Sequence, residues 1–538
     1  MNLLVISYYD GMLAPMIKRV CEETGWNVTD WFSAHPADDE ASSSAKLFPK
    51  AVIHLPREAS RGIHPKGDPA RQQDVVLDEP LLKEYAPLEQ MFMRMLDIYD
   101  PDGRAFTSRE RREAYYCVLQ FGLRIIRSRR PDLYVAGTIP HSLHDYLLYW
   151  LCRHERIPTL TLIPLTLPGY LIFHRDLENG SPSLRDAYAK ALGSHQGDAV
   201  QLSKGLEEHY LKLRSSYAVG EPWWTKLRDH SLLTRESNWL TYLPNPFDRN
   251  NYARDILRQL KRGIRALVNP RAADLYRTKP LEDFLKEPAR RFRDSVTTQQ
   301  DADRIFKRGV KVKRALLKQY RRLQVVPDLT RPFIFVALHY QPEASTSPVG
   351  GVFLDQLLML RMIARSMPDG WTLYVKEHRT TFDPQLRGHF ARDEDYYDQI
   401  AELRNTRIVP MEYSSFDLID KAVAVATVTG TVGWEAVVRG KPVMVFGNAW
   451  YKDCHGVWDC RSHERCDSAM RAIETGFSVD QRKVRLFIQT VSNVAVYADR
   501  DYDYVLTDLT KERSQEILGD YLIHEAKSVF AANGSHAL

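Results

Sequence analysis

Short apolar runs of strand length alternate with longer amphipathic runs over the first 194 residues. The apolar runs predict strands at 3–7, 26–32, 132–136 and 158–163. The amphipathic runs predict helices, the longest at about 81–99 and 108–129. Because strands that alternate with helices at this spacing form parallel sheets, the pattern predicts an α/β domain over residues 1–194.

The same alternation returns between residues 331 and 475. Strands are predicted at 333–338, 371–375, 423–428 and 443–447. Polar clusters follow the first three of these strands, at 339–346, 376–379 and 429–436. Ligands of open parallel sheets bind in the crevice beyond the carboxyl ends of the strands. The sequence therefore predicts a binding site where the three clusters meet.

The remaining regions read as helical. Residues 195–330 are rich in Lys and Arg between Arg254 and Arg322, and residues 476–538 predict a helical C-terminal segment. The basic stretch suits a solvated helical insertion or connector. A basic surface that rests on an anionic membrane or an acidic polymer stays open as an alternative. Nucleic acid is disfavoured because no binding motif accompanies the charge.

Length and composition agree with this division. A chain of 538 residues exceeds one ordinary core, so two α/β domains are expected, at 1–194 and 331–475, joined by 195–330 and followed by 476–538. The content of 44% hydrophobic and 27% charged residues is that of a soluble globular protein. A net charge of +5 is too mild to indicate a nucleic-acid partner.

Cysteine usage and the apolar segments bear on the compartment. Six cysteines without a disulfide spacing favour a reducing, cytoplasmic location. Residues 1–7 lack the features of a signal peptide. The apolar window 157–173 carries three prolines, so it predicts a strand and a cleft loop in preference to a membrane-dipping loop. Peripheral contact with the inner membrane stays open through the basic segment.

The cluster that follows the third strand is suited to a phosphate. A Thr-Gly-Thr turn leads into a helix predicted from Val432, and helix N-termini attract anions. Thr429 and Thr431 offer hydroxyls, and Gly430 allows close backbone approach. Glu435, one turn into the helix, could accept hydrogen bonds from a sugar hydroxyl. An ordinary capped helix is the alternative interpretation.

The other two clusters carry charge. Lys376 and His378 supply positive charge for a phosphate, although polar residues at a strand end are also common without function. In the first cluster, Pro342 stiffens the loop between Gln341 and Glu343. Glu343 is then either a functional carboxylate or a loop residue favoured by the next helix start.

Four segments resemble the capsule polysaccharide biosynthesis family, which includes the Kdo transferases of capsule assembly. They are Gln-Pro-Glu-Ala-Ser, Val-Lys-Glu-His, Thr-Gly-Thr-Val-Gly-Trp-Glu-Ala and Gly-Lys-Pro-Val-Met-Val-Phe-Gly, all within residues 331–450. The resemblance implies a GT-B-like fold of two Rossmann-like domains. It also implies that the nucleotide-sugar donor binds the C-terminal domain and the acceptor binds the N-terminal one. The donor would be CMP-Kdo-like or a UDP-sugar.

The resemblance assigns residues as well. Gln341, Pro342 and Glu343 match the family's Gln-Pro motif, and His378 matches its His-Pro motif. Arg379 stands where that second motif has proline, and this departure concerns the identity of the donor.

An inverting transferase also needs a base for the acceptor hydroxyl. His141, at a predicted strand end, and Asp10, just after the first strand, are the two candidates. Either could instead cap the following helix. A retaining enzyme would use a carboxylate nucleophile or a front-side mechanism, and the sequence leaves this choice open.

No metal ion or other cofactor is predicted. Cys454, His455, Cys460, His463 and Cys466 lack the paired spacing of structural zinc sites. The Asp-x-Asp pattern at 501–503 is distant along the chain from the predicted donor site.

The sequence therefore predicts an enzyme, a glycosyltransferase that moves a sugar from a nucleotide-sugar donor to a bacterial surface or capsular polysaccharide or its lipid-linked acceptor. A nucleotide-sugar epimerase of the same architecture and a non-catalytic polysaccharide-assembly protein are the alternatives.

Overall fold

The computed structural model describes residues 1–8, 10–33, 44–97, 107–194, 199–215, 299–341, 343–382, 388–500 and 505–532. Several predictions made above fall outside these ranges. They concern Pro342, most of the basic stretch between Arg254 and Arg322, and the Asp-x-Asp pattern at 501–503.

The described strands form two sheets. Seven strands make the N-terminal sheet, in the spatial order β13-β6-β5-β4-β1-β2-β3. Strands β1 to β5 run parallel, whereas β6 and β13 are antiparallel additions at one edge. These strands are β1 (Asn2–Ile6), β2 (Asn27–Phe32), β3 (Val52–His54), β4 (Leu133–Ala136), β5 (Thr159–Pro164), β6 (Tyr170–His174) and β13 (Val496–Tyr497).

The C-terminal sheet has six strands, all parallel, in the order β12-β11-β10-β7-β8-β9. They are β7 (Phe333–Ala337), β8 (Thr372–Lys376), β9 (Thr406–Ile408), β10 (Ala424–Thr427), β11 (Val443–Val445) and β12 (Val457–Asp459).

Helices cover the faces of both sheets. Those that precede the second sheet are α1 (Asp10–Thr24), α2 (Pro56–Ala59), α3 (Glu79–Glu84), α4 (Ala86–Leu96), α5 (Ser108–Arg129), α6 (Leu143–His154), α7 (Pro182–Ser194), α8 (Lys204–Ser215) and α9 (Gln299–Leu323). Those that follow its first strand are α10 (Gln356–Ser366), α11 (Tyr396–Glu402), α12 (Ser415–Lys421), α13 (Thr431–Val438), α14 (His463–Glu474), α15 (Gln481–Val494) and α16 (Lys511–Ala532).

The central strand β7 shows why these apolar runs are strands. Phe333 and Phe335 face one hydrophobic cluster, and Ile334 and Val336 face another on the opposite side of the sheet. All four side chains are fully buried. A parallel strand covered by helices on both faces needs apolar residues at every position, which explains the unbroken run.

The predicted fold class is confirmed. Two Rossmann-like α/β units with parallel cores make up a GT-B-like architecture. The four N-terminal strands predicted from apolar runs are β1, β2, β4 and β5. The window 157–173 forms β5 and most of β6, a hairpin that returns antiparallel on the sheet edge. The domain boundaries at 194/195, 330/331 and 475/476 stay predictions.

The C-terminal segment crosses back to the first unit. Within the stretch predicted as helical, Val496–Tyr497 pairs with β6 as a sheet-edge strand. Helix α16 then packs against α1, where Arg19 donates to the Glu516 carbonyl at 2.8 Å and to the Asp520 carboxylate at 2.9 Å. Leu518 and Leu522 of α16 are buried in the cluster that also contains α1.

Helices α8 and α9, on either side of residues 216–298, rest on the C-terminal unit. Glu207 of α8 accepts two hydrogen bonds from Arg485 of α15, at 2.9 and 2.6 Å. Leu316 and Tyr320 of α9 are buried against the sheet that begins with β7. Within the described residues, no helix is long and apolar enough to cross a bilayer.

Candidate functional site

The order of the C-terminal strands brings two of the polar clusters together. Strand β7 lies between β10 and β8, so the chain direction across the sheet reverses at β7. The loops after β7 and β10 leave this switch point side by side, and open α/β sheets bind ligands there.

His339, the second residue after β7, joins these two loops. Its Nε2 lies 2.9 Å from Thr427 Oγ1 and 3.3 Å from the backbone nitrogen of Thr429. Burial lowers the pKa of His339 to about 3, with His378 and Arg392 adding to the effect. The ring is therefore neutral, and its Nε2 accepts the hydrogen bond from the Thr429 N–H.

The Thr-Gly-Thr turn is packed closely against that ring. A methyl group on Gly430 would lie 3.1 Å from His339 Cε1 and 2.8 Å from Thr427 Oγ1, so glycine is required there. Gly430 is also the N-cap of α13, and Thr431 is the first helical residue, one position earlier than predicted. The half-buried start of α13 thus stands directly beside the β7 loop.

Arg392 ties the loop after β7 to the loop after β8. The guanidinium group is buried and donates to the Gln341 side-chain oxygen and to the His339 carbonyl, each at 3.0 Å. It also donates to the Glu377 carboxylate at 2.8 and 3.2 Å. Burial alone would lower the pKa of Arg392, but the Glu377 carboxylate outweighs burial and raises that pKa.

Glu377 in turn fixes the β8 loop. Its carboxylate accepts from the His378 backbone N–H at 2.7 Å and from the Thr381 hydroxyl at 3.1 Å. Tyr397 of α11 donates to the same carboxylate at 2.7 Å. A buried carboxylate with this many donors is well compensated, so the position of His378 is set by a rigid network.

The predicted histidine and glutamine occupy different parts of this arrangement. His378 is half-buried, with Nδ1 2.6 Å from Thr380 Oγ1 and its ring 6.4 Å from the Tyr340 ring. Gln341 is buried, and its amide donates to the Leu354 carbonyl and accepts from Gln356, both at 2.8 Å. The loops that carry Gln341, His378 and Thr431 thus meet around residues 339–341.

Lys376 is buried at the end of β8. Its ammonium group donates to the Tyr413 carbonyl at 2.5 Å and to Ser415 Oγ at 2.7 Å. Burial lowers the pKa of Lys376 to about 8, and the nearby positive charge of Arg379 contributes. The charge of this lysine is therefore sensitive to mildly alkaline pH.

The two predicted carboxylates in this unit differ in setting. Glu343 is half-buried, accepts from Ser345 Oγ at 2.8 Å, and has its pKa raised by burial. Glu435 is buried within α13, with 7% of its surface exposed. The Thr429 hydroxyl donates to the Ser345 carbonyl, so it also holds the loop after β7 against the turn.

The N-terminal candidates lie at the corresponding edge of the other sheet. Asp10 is buried and accepts hydrogen bonds from Trp31 Nε1, at 3.1 Å, and from the Ser33 hydroxyl. The His141 ring stacks on Tyr8 at 4.9 Å, and its Nδ1 lies 2.6 Å from the Ile139 carbonyl. Burial lowers the pKa of His141, and Arg500 adds to the effect.

Two residues of this site were missed by the sequence interpretation. His339 stands in the first polar cluster, and its place directly after a buried strand could have identified it. Arg392 follows a short 3-10 turn, Gly388–Ala391, and nothing in the local sequence marks it.

Among the described residues, no group of three or more His, Cys, Asp or Glu side chains is arranged to hold a metal ion. Cys454, Cys460 and Cys466 are buried free thiols.

Comparison with known protein families gives a match to the model described as "Capsule polysaccharide biosynthesis protein", over residues 253–482. This part of the chain is similar to the capsule polysaccharide biosynthesis family. The matched range contains every residue of the C-terminal candidate site, and it confirms the family predicted from the motifs.

Solved structures of low similarity were also found. A beta Kdo 2,7 transferase, KpsC of Thermosulfurimonas dismutans, is 12% identical, with 80% of this chain and 95% of that one covered and a TM-score of 0.28. The UDP-GlcNAc 2-epimerase of Methanocaldococcus jannaschii is 11% identical, with 92% and 100% covered and a TM-score of 0.23. These TM-scores are too low to carry a functional inference. No curated protein sequence matches the chain.

Proposed function

We propose that this protein is a glycosyltransferase of capsule or surface polysaccharide synthesis that uses a nucleotide-sugar donor. One observation carries the proposal: three strand-end loops meet at the β7 switch point, within the region that matches the capsule family. The acceptor would be a growing polysaccharide or its lipid-linked precursor. Six free cysteines favour a cytoplasmic reaction.

The phosphate of the donor would bind at the start of α13. Gly430 lets the backbone approach closely, and Thr431 begins the helix. The buried ammonium of Lys376 would add positive charge at the end of β8, which is separated from β10 by β7. Gln341 would act on the ligand indirectly, by holding the loop after β7 through its contact with Arg392.

His378 and Glu343 are the proposed catalytic groups on the donor side. Thr380 orients the His378 ring through Nδ1, which would direct Nε2 at the departing phosphate. Burial raises the pKa of Glu343, and a shift in this direction is one that catalytic carboxyl groups often show. His141 and Asp10 remain the alternative bases for the acceptor hydroxyl, and Glu435 and Thr429 would shape the pocket around the turn.

Replacement of His378 by alanine tests the proposal. Loss of a group that stabilises leaving-group charge should lower the rate of sugar transfer roughly 100-fold or more. His463→Ala is the matched control, since that side chain is 44% exposed on α14, outside the strand-end loops. Transfer at the normal rate by His378→Ala would remove His378 from the mechanism, and nucleotide-sugar conversion without any acceptor would indicate an epimerase.

A thermal-shift comparison of CMP-, UDP-, GDP- and CDP-linked sugars tests the donor assignment. A ligand that binds only the folded protein at a concentration of 100 times its Kd adds about 2.7 kcal/mol to the free energy of unfolding. One nucleotide class should raise Tm clearly above the others. A flat response to all four classes would favour a non-catalytic assembly protein.

A further inference from the structure

A second concave site lies between the two α/β units. This cleft has a volume of about 540 Å³. One wall is the outer face of α6 with the turn at 176–178, and the other is the loop at 348–353 together with Gly447 and Arg461. We refer to it as the α6 cleft. Its size is within the range of small-molecule binding sites.

Aromatic side chains form the α6 wall. Tyr146, Trp150 and His154 are spaced four residues apart and therefore lie on one face of the helix. The Trp150 and His154 rings are nearly parallel, with centroids 5.1 Å apart and an interplanar angle of 9°. Tyr146 and Trp150 are half-buried, which leaves part of each ring accessible.

Charged side chains rim both walls of the cleft. Arg153 donates to the Asp176 carboxylate at 3.3 Å, and Arg461 donates to the Glu178 carbonyl at 3.4 Å. The two arginines and the two acidic side chains of this rim balance in charge. A balanced set of donors and acceptors next to aromatic faces suits the hydroxyl groups and the apolar ring faces of a sugar.

The cleft is continuous with the strand-end site. Gly447 lines the cleft, and a methyl group there would lie 2.7 Å from Thr429 Cγ2 and 3.1 Å from Gly350 Cα. The floor of the cleft is therefore the back of the Thr-Gly-Thr turn. Trp150 and His154 of α6 line the same cleft.

A buried amide lies next to Gly447, behind the wall of the cleft. Asn448, next to Gly447, is 5% exposed, and neither its side-chain nitrogen nor its oxygen has a hydrogen-bond partner among the described residues. Its oxygen lies 3.3 Å from where a Gly180 methyl group would be, against the turn that carries Asp176 and Glu178. An unpaired buried amide is costly, but its polar atoms have almost no accessible surface, so the cleft assignment rests on the aromatic and charged side chains that line it.

We propose that the α6 cleft binds the sugar units of the acceptor chain that lie behind the unit receiving the new sugar. This inference rests on the proposed function, because it takes the strand-end site as the place of transfer. The cleft then acts as an extended subsite that favours a long acceptor over a short one.

Trp150→Ala tests this assignment with a short and a long fragment of the producing strain's own capsular polysaccharide. Loss of one stacking face should raise KM for the long fragment roughly 3- to 10-fold and leave kcat and the KM of the short fragment unchanged. Trp150→Phe keeps a stacking face and should restore most of the affinity. Trp371→Ala is the matched control. Trp371 is also half-buried, and it packs on the core cluster of the C-terminal unit that contains Ile334 and Val336.

The outcomes separate the two levels of the proposal. If the unsubstituted protein transfers sugar to neither fragment, the proposed function fails. If it transfers sugar and Trp150→Ala keeps the same preference for the long fragment, the cleft assignment is overturned. Calorimetry with the long fragment and no donor gives a second readout, in which Trp150→Ala should bind more weakly and equal binding would contradict the assignment.

Discussion

The two α/β units share a topology and differ in the chemistry at their switch points. The five core strands follow the same spatial order, β5-β4-β1-β2-β3 in one sheet and β11-β10-β7-β8-β9 in the other. In the C-terminal unit, a buried Arg392–Glu377 ion pair links the strand-end loops. In the N-terminal unit, the corresponding edge holds the stacked rings of Tyr8 and His141 and the hydrogen-bonded Asp10.

This difference shows that topology supplies an edge and side chains decide what the edge can bind. Helix α13 begins at the strand-end edge of the C-terminal sheet, and Lys376 adds a cation at the same edge. This edge therefore suits an anion. At the matching edge of the N-terminal sheet, burial lowers the pKa of His141, which favours the neutral imidazole that can accept a proton. The predictions below test this contrast.

The largest effect is expected from Arg392→Met. The substitution leaves the buried Glu377 carboxylate without its partner, which should lower the free energy of unfolding by about 3–5 kcal/mol. Because Arg392 also holds the His339 carbonyl and Gln341, nucleotide affinity should fall as well. Urea unfolding and calorimetry measure the two effects.

The double variant Arg392→Met/Glu377→Gln is the control for this experiment. It removes the unpaired charge, so stability should recover in part, while nucleotide affinity should stay low because the loops remain unlinked. Recovery of both properties together would show that Arg392 has no positioning role.

A smaller loss is expected from Thr427→Val. Its hydroxyl oxygen accepts from the Gly430 N–H at 3.1 Å and contacts His339 Nε2 at 2.9 Å. Removal should cost about 1–3 kcal/mol of unfolding free energy and loosen the Thr-Gly-Thr turn. Ser33→Ala, which removes the hydroxyl donor to Asp10, is the N-terminal counterpart and should leave nucleotide affinity unchanged. If Thr427→Val and Ser33→Ala lost nucleotide affinity equally, the proposed difference between the two sheet edges would be wrong.

The pH dependence of Lys376 provides a third test. Its pKa of about 8 means that the folded protein loses this positive charge as pH rises through 8. Nucleotide affinity should fall roughly tenfold between about pH 7 and pH 9. The unfolded chain keeps the proton to higher pH, so the free energy of unfolding should rise over the same interval. Lys376→Met should abolish both trends, and trends that persist in it would belong to another group.

The smallest effect on nucleotide binding is expected from Asp10→Asn. The side chain keeps one acceptor oxygen for Trp31 Nε1, so the fold should lose only about 1 kcal/mol. The Kd for the nucleotide should stay within about twofold, because Asp10 lies in the other unit, while transfer to the acceptor should slow if Asp10 is the base. A large change in nucleotide Kd would show that the two edges form one site.

Local patterns in the sequence were sufficient to predict the parallel cores. Strands such as β7 are covered on both faces, so every residue from Phe333 to Val336 is apolar. Such an unbroken apolar run is visible in the sequence. The polar residues after such strands were also identifiable, which is why Lys376, His378 and Thr431 could be chosen. The family motifs lie in the same loops.

Long-range packing was not predictable in this way. Arg392 belongs to the site only because the chain folds it onto Gln341, 51 residues earlier. The two-residue strand β13 is too short to leave a pattern, and it forms because β6 offers an open edge. Gln341 and Glu435 are buried in the structure, and this burial likewise depends on neighbours that are distant along the chain.

The return of β13 and α16 to the first unit has a consequence for biosynthesis. A chain that emerges from the ribosome presents β1 and α1 long before α16, so the part of α1 that packs on Leu518 and Leu522 stays uncovered until those residues have been made. Until then, the N-terminal unit exposes apolar surface on α1, and the edge of β6 has no strand paired to it. Nascent chains stalled shortly before residue 496 should therefore recruit chaperones that full-length chains no longer need.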